Sequence, residues 1–568
     1  MKKRKVMSLF LAAAMTVSLA ACGNSETPAG SSDSTANSST GTEAGTVAGT
    51  AAPDGGAAEA AGGQADKVVV ALNASSFHIA PFGSNSIPRF WMIQNMYASL
   101  YCTPYYGATL EEMEPWLAKN IQKVDDLTYS VELYDYIHDS KGNAITSEDI
   151  VFSYERLQVD SQETRIGTYL KEIEVIDDYN MVFHLNKSGP GVIEFLVGNY
   201  TLSSCDKEWY ENASEEERSN DPATTGAYKV ASYTSGAGVT LEAVEDYWQT
   251  DESLRNSADV QNVKTIEYTV ITENSMRSIA LENGEIDATV IDANELKRFY
   301  DGSGPLPGWN VEITGGTYCN TVFINMDEGK SDLADDVNLR MAALYALDSE
   351  SILYGGDYDE STGEVCYSFG TSVMAGYKDS WANEDYFTYN PEKAKEYYQA
   401  SGKSAGEVTI RLLSRTSIAD GIHSVMMANL EAVGFKVELL AYDQALFNTY
   451  KNDSTQWDMI LDNKGATGHI ASCWDNNFNP AGFANGSVCF NHDDQLVELL
   501  TKVTTSGSDE DVAVFHEYLK EIACAKGLFT TYNLMVSQDG ILGLDVNANM
   551  MPRVNGFTFA SDYQSVAK

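Results

Sequence analysis

The sequence predicts an α/β protein of roughly three domains. The clearest evidence is local: Val408 to Leu413 reads as an apolar strand, a helix follows from about Gly421 to Ala432, Gly434 stops it, and Phe435 to Leu440 reads as a second strand. A strand-helix-strand unit of this kind implies parallel strands joined by a right-handed crossover. Short apolar runs of strand type also alternate with stretches whose apolar residues recur at helical spacing. The composition, 43% hydrophobic and 11% aromatic, is globular rather than that of an acidic disordered chain, and 568 residues suffice for several cores at about 150 residues per domain.

Taken in order, Met1 to Ala21 reads as a cleavable leader. Lys2, Lys3, Arg4 and Lys5 form a basic start, Val6 to Val17 a mostly apolar run, and Leu19-Ala20-Ala21 a small-residue site before Cys22. The stretch resembles a bacterial lipoprotein signal. That resemblance implies that Cys22 becomes the mature N-terminus and carries the lipid; more than one acyl chain is needed for stable anchoring. An uncleaved membrane helix fits less well, because the apolar run is short for a span of about 20 residues. Losing the four basic residues of the leader would take the net charge from −45 to −49. So acidic a chain is expected to avoid nucleic acid and anionic lipid surfaces.

From Gly23 to Ala65 the chain is mainly Gly, Ser, Thr and Ala with scattered acid, which cannot form a core. It reads as a flexible tether with a root-mean-square span of roughly 35–40 Å. Seven further cysteines, at 102, 205, 319, 366, 473, 489 and 524, include no CxxC pair and predict neither a zinc site nor a disulfide scaffold. A bridge between Cys473 and Cys489 is close enough in sequence, but buried free thiols are the simpler expectation.

The fold is expected to begin at Asp66, with Lys67 to Leu72 as a buried strand, a loop from Asn73 to Ile87 and a helix near Phe90 to Leu100. Leu127, Tyr129, Val131 and Leu133 share one face of a strand, as do Met181, Phe183 and Leu185. Thr146 to Asp149 reads as an N-cap with an acid three residues on, opening a helix striped by Ile150, Val151, Tyr154 and Leu157. Asp336 precedes a helix whose Val337, Met341, Leu344 and Tyr345 have core-stripe spacing, with Arg340 expected in a structural salt bridge. Asn390 caps a helix that has Pro391 at its first position.

Several of these segments resemble the extracytoplasmic solute-binding proteins of the peptide and nickel class that serve ABC importers, the family of oligopeptide- and dipeptide-binding lipoproteins. Ile137-His138-Asp139 followed by Gly142 through Ser153 matches that family's "fHDG, then lTaeDVvfS" signature. Pro222 to Val230, Glu245 to Trp248, Asn283 to Ala288, Asn320 to Asn325, Asn338 to Asp348 and Tyr389 to Lys395 continue the match in the family's order, so that it covers essentially 66 to 568. The resemblance implies two α/β lobes joined at a hinge, the periplasmic-binding-protein-like fold, with a third domain inserted in the first lobe. The boundaries so implied are 66–103, 214–312 and 532–568 for lobe I, 104–213 for the insert and 313–531 for lobe II.

Catalytic motifs are not found. The seven His residues form no HExxH or HxxxH pair, and there is no GxSxG elbow. Gly402-Lys403-Ser404 ends like a phosphate loop, but Tyr397 stands where the first Gly belongs. Acid pairs such as Asp335-Asp336 and Asp493-Asp494 read as solvated surface in a chain with 82 acids. The expectation is a binding protein that is not an enzyme, with no cofactor and no metal.

For the ligand, a cleft between lobes needs aromatic walls and a few charged anchors. Peptide-binding members of the family hold the peptide's ammonium group with an Asp in a segment like DYpDP. Here the corresponding stretch, Leu461 to Pro480, lacks that motif, and Asp475 beside Trp474 is the best stand-in, with Asp462 next. Tyr318, Arg415, Trp91 and Phe77 stand at loop or strand-end positions that could face the cleft. Together these features lead to the expectation of a monomeric, lipid-anchored receptor on the outer face of the cytoplasmic membrane. It captures a solute, an oligopeptide first and an oligosaccharide as the alternative, and presents it to ABC permease and ATPase subunits. An exported hydrolase or peptidase and a sensory receptor that signals without import stay open as rivals.

Overall fold

The computed structural model describes residues 63–74, 77–83, 87–161, 163–199, 201–465, 467–480, 490–491, 493–546 and 551–567. The leader, Cys22, nearly all of the tether and Cys489 lie outside the described residues.

The first strand, Ala65–Leu72, shows why an unbroken apolar run belongs at the centre of a sheet. It pairs in parallel with Val263–Val270 on one side and with Ala288–Ile291 on the other. Val68, Val70 and Leu72 enter one core while Val69 and Ala71 enter another on the opposite face, so neither face can be polar. These strands are the middle of a seven-stranded sheet in the order 309–314, 533–538, 288–291, 65–72, 263–270, 238–243, 228–234.

A second, four-stranded antiparallel sheet orders strands 118–125, 128–133, 180–185 and 170–177. Tyr129 lies opposite Phe183 and Val131 opposite Met181, all buried, as their alternation predicts. Leu127 departs from that pattern. It sits in the tight turn after Asp125, whose carboxylate accepts its N–H at 2.9 Å, and the turn leaves it exposed. Helix Ser147–Asp160 starts at the expected box: the Asp149 carboxylate accepts the Thr146 N–H and hydroxyl, each at 2.8 Å.

The third sheet orders six strands, 363–365, 525–531, 318–324, 459–465, 409–415 and 436–442. Strands Thr409–Arg415 and Lys436–Tyr442 run parallel around helix Asp420–Val433, which ends at Gly434 with φ +127, the predicted crossover. Asn390 caps helix Pro391–Ala400, its side chain accepting the Lys393 N–H. Asp336 caps helix Val337–Ala346 as expected, but the stripe does not hold. Val337 is exposed and Met341 half-buried, whereas Leu339, Ala342, Ala343 and Ala346 are buried beside Leu344 and Tyr345. This helix is packed by three neighbouring helices and the sheet together, so it is buried nearly all round and has no single core stripe. Arg340 in it donates to the carbonyls of Leu333, Ala334 and Ile522, each at 2.9 Å, so its guanidinium has a structural role.

The chain passes between the seven-stranded and six-stranded sheets twice, at Thr314 to Tyr318 and at Thr531 to Asn533. Two such strand-to-strand crossings join two α/β lobes. Cys102, Cys205, Cys319, Cys366 and Cys473 are free and buried, and Cys524 is buried. Lys403 pairs with Asp332 at 3.1 Å on the surface, and Asp493 caps helix Asp494–Ser506. Among the described residues no helix is long and apolar enough to cross a membrane.

Candidate functional site

A cavity of about 410 Å³ opens where the segment carrying the four-stranded sheet meets the lobe of the six-stranded sheet. That is within the roughly 300–1,000 Å³ usual for small-ligand pockets. On one side stand the 103–109 loop and helices Thr164–Tyr169 and Val192–Gly198. On the other stand Ala375 and the 467–472 segment that leads into helix Ile470–Phe478.

Phe195 and Tyr169 form an apolar wall, edge to face with ring centroids 5.6 Å apart. The Arg165 guanidinium lies 4.2 Å from the Phe195 ring centre and is held by both carboxylate oxygens of Glu163, at 2.8 and 2.9 Å. Bidentate pairing and stacking fix a planar cation in one orientation. Glu194 reaches the cavity from the first turn of its helix. Its Oε1 accepts the Leu110 N–H at 3.2 Å, while its Oε2 is shut off from solvent with no hydrogen-bond partner. Burial pushes this carboxyl above its ordinary value, opposed in part by the backbone N–H groups of Glu194, Leu110 and Gly191.

His469 lines the opposite wall and caps helix Ile470–Phe478. Its Nδ1 accepts the Ala471 N–H at 3.1 Å, which requires that nitrogen to be unprotonated. Burial, with Lys378 nearby, holds its pKa down to about 4. The two sides approach so closely that a Cβ on Gly107, at φ +86, would stand 2.9 Å from the Gly468 carbonyl oxygen. Ser472 Oγ donates to the Pro190 carbonyl at 2.8 Å across the same seam.

The residues singled out from sequence are scattered relative to this cavity. Asp475 lies at its rim, where Lys187 Nζ donates to Oδ2 at 2.6 Å and the Asn479 amide to Oδ1 at 2.9 Å. Trp474 is fully buried, its indole N–H donating to the Phe369 carbonyl at 2.8 Å. Trp91 and Phe77 belong to the core of the first lobe, Phe77 beside Tyr233. Tyr318 is exposed at the start of its strand, with Arg165 acting electrostatically on its hydroxyl. Arg415 and Asp462 are the candidates brought into contact, at 3.0 Å, and Lys464 completes the cluster 2.9 Å from Asp462. Of the named candidates, none is among the residues lining the cavity. Glu194, Arg165 and His469 do line it, and sequence reasoning missed them. The legible trace was Gly189-Pro190-Gly191, a chain reversal ahead of a short apolar helix that carries a single acid.

Comparison with known proteins places this geometry in context. Residues 112–473 match the family described as bacterial extracellular solute-binding proteins, family 5. The oligopeptide-binding protein AppA of Bacillus subtilis is 25% identical over 301 residues, which are 50% of this chain and 51% of that protein. The chain thus spans about half the length of this curated relative. Among solved structures, the substrate-binding protein CtaP of Listeria monocytogenes superposes with a TM-score of 0.72 at 17% identity, covering 87% of this chain and 99% of that one. AppA of Bacillus subtilis in complex with a nonapeptide gives 0.66 at 17% identity, covering 88% and 100%. The fold is therefore the two-lobed one of periplasmic binding proteins.

Proposed function

Since the chain belongs to family 5 of the bacterial extracellular solute-binding proteins, we propose that it captures a short peptide for uptake in the cavity between the 104–213 insert and the second lobe. The observation that carries this reading is Glu194: a buried carboxylate with one free oxygen in a pocket that also holds a fixed guanidinium. A peptide's ammonium group would complete Glu194, and its carboxylate or a side-chain acid would meet Arg165. An ammonium group beside Glu194 would oppose the effect of burial on this carboxyl and favour its ionised form. The similar AppA of Bacillus subtilis is an oligopeptide-binding protein, and its solved structure holds a nonapeptide, which supports peptide capture here.

The lobes would close on the ligand through the seam at Gly107, Gly468 and Ser472, a shift toward the closed state set by its tighter binding there. ATP hydrolysis would belong to permease-associated subunits. The leader and Cys22 support lipid anchoring outside the cytoplasmic membrane, with Gly23 to Ala65 as tether. The reading takes 66–103, 214–312 and 532–568 as the first lobe, 104–213 as the insert and 313–531 as the second lobe, in a monomer that does not consume its ligand. Mass spectrometry of small molecules released from the purified protein tests it. Peptides of a few residues are expected; a sugar, or hydrolysed products of an added peptide, would contradict it.

A further inference from the structure

His516, outside the cavity, is a buried imidazole with one nitrogen unused. The side chain is 1% exposed on helix Asp509–Ile522 and lies between two rings, Trp381 at 4.3 Å and 8° and Tyr386 at 4.5 Å and 24°. Ser368 Oγ is 2.9 Å from Nδ1, so the ring is fixed at its faces and at one edge. The other edge, Nε2, is shut off from solvent and makes no hydrogen bond; its nearest charged neighbour is Glu384 Oε2 at 3.9 Å. Glu517 supplies a second carboxylate, and one oxygen or nitrogen from each of Glu384, His516 and Glu517 lies within 4.8 Å of the others.

We propose that Glu384, His516 and Glu517 form a binding site for a divalent first-row metal ion, zinc being the best fit to one imidazole nitrogen and two carboxylates. Such ions take nitrogen at about 2.0–2.1 Å and carboxylate oxygen at about 2.0–2.2 Å, with water in a remaining position. The imidazole is preset while the two glutamates, 40% and 61% exposed, can close on it. A proton on Nδ1 donated to the Ser368 hydroxyl would leave the Nε2 lone pair for the metal and fix the ring's orientation. Lys520 lies 3.9 Å from Glu517 and would have to swing aside as the carboxylate turns inward. An ion here would tie the turn after Asp379–Asn383 to helix Asp509–Ile522, whose chain continues into strand Ala525–Thr531 and then crosses between the lobes at Tyr532.

The test uses the full mature chain, stripped with chelator and titrated with Zn²⁺, and separately with Co²⁺ as a spectroscopic probe. One equivalent is expected to bind, change the fluorescence of Trp381, raise the melting temperature and, for Co²⁺, give visible bands of nitrogen and oxygen coordination. The double variant Glu384→Gln/Glu517→Gln alters only exposed groups, so it should fold and melt like the metal-free parent while binding at least tenfold more weakly. Absence of stoichiometric binding to the parent, or equal binding by the double variant, would overturn the proposal.

Discussion

Lys187 and Asp475 form an ion pair at 2.6 Å that ties the segment before Gly189 to the helix behind the cavity, 288 residues away in sequence. The Asp475 carboxylate is therefore already satisfied by the protein itself. Its side chain is 15% exposed and that of Lys187 34%, so the pair is partly shielded from water and contributes more than a surface pair, about 1 kcal/mol. Asp475→Asn should accordingly weaken every ligand alike, by about threefold to tenfold, through a less stable closed form. Calorimetry with an amine-bearing and an N-acetylated peptide checks this; a loss confined to the free amine would mean that Asp475 meets the ligand directly.

Gly107 concerns the same seam. At φ +86 and 2.9 Å from the Gly468 oxygen, a Cβ finds neither a comfortable backbone nor room once the two sides meet. Gly107→Ala is expected to lower ligand affinity tenfold or more and to leave the ligand-bound protein measurably more extended in small-angle scattering. Unchanged scattering with unchanged affinity would remove this contact from the closure mechanism.

His469 predicts an acid limit. Unfolded, the imidazole takes a proton near pH 6.5; folded, it resists until about pH 4. Between those values the unfolded state binds more protons, so stability falls as pH falls. His469→Asn, which keeps a capping acceptor, should reduce the loss of melting temperature across this window by about 2–4 °C. Parallel melting curves for parent and variant from pH 6.5 to 4 would speak against the assignment.

Asp259 should act with the opposite sign. Buried beside Trp116 and Tyr247, which both donate to its Oδ1, it has an Oδ2 with no partner, and burial raises its pKa to about 6. Between about 3.8 and 6 the folded state holds the extra proton, so this group's contribution falls as pH rises through that range. Asp259→Asn keeps an acceptor and drops the charge. Its melting temperature should exceed the parent's at pH 7.5 and converge with it near pH 4; a lower value at pH 7.5 would contradict the sign.

Local signals carried much of the fold. The 408–440 unit, the Thr146 box and the Asn390-Pro391 start each depend on residues within a few positions of one another, and each was legible. Leu127 and Val337 misled because a turn and a three-sided packing override spacing. The site was largely illegible for a related reason. Glu194 gains its character from Leu110, Asp475 loses its availability to Lys187, and Gly107 meets Gly468 only after the lobes assemble. The family resemblance marked Asp475, beside Trp474, as the stand-in for an ammonium anchor, but Asp475 is spent on an ion pair and Trp474 on the core.

The central claim is that Glu194 receives the ammonium group of a peptide in the cavity. Titration calorimetry of a co-purifying peptide, free and N-acetylated, against the parent and Glu194→Gln tests it most directly. The account predicts that the parent prefers the free amine by tenfold or more, in line with about 1.5–3 kcal/mol for a charged hydrogen bond, and that Glu194→Gln abolishes the preference. Equal affinity of the parent for both forms, or a preference that survives in Glu194→Gln, would contradict it.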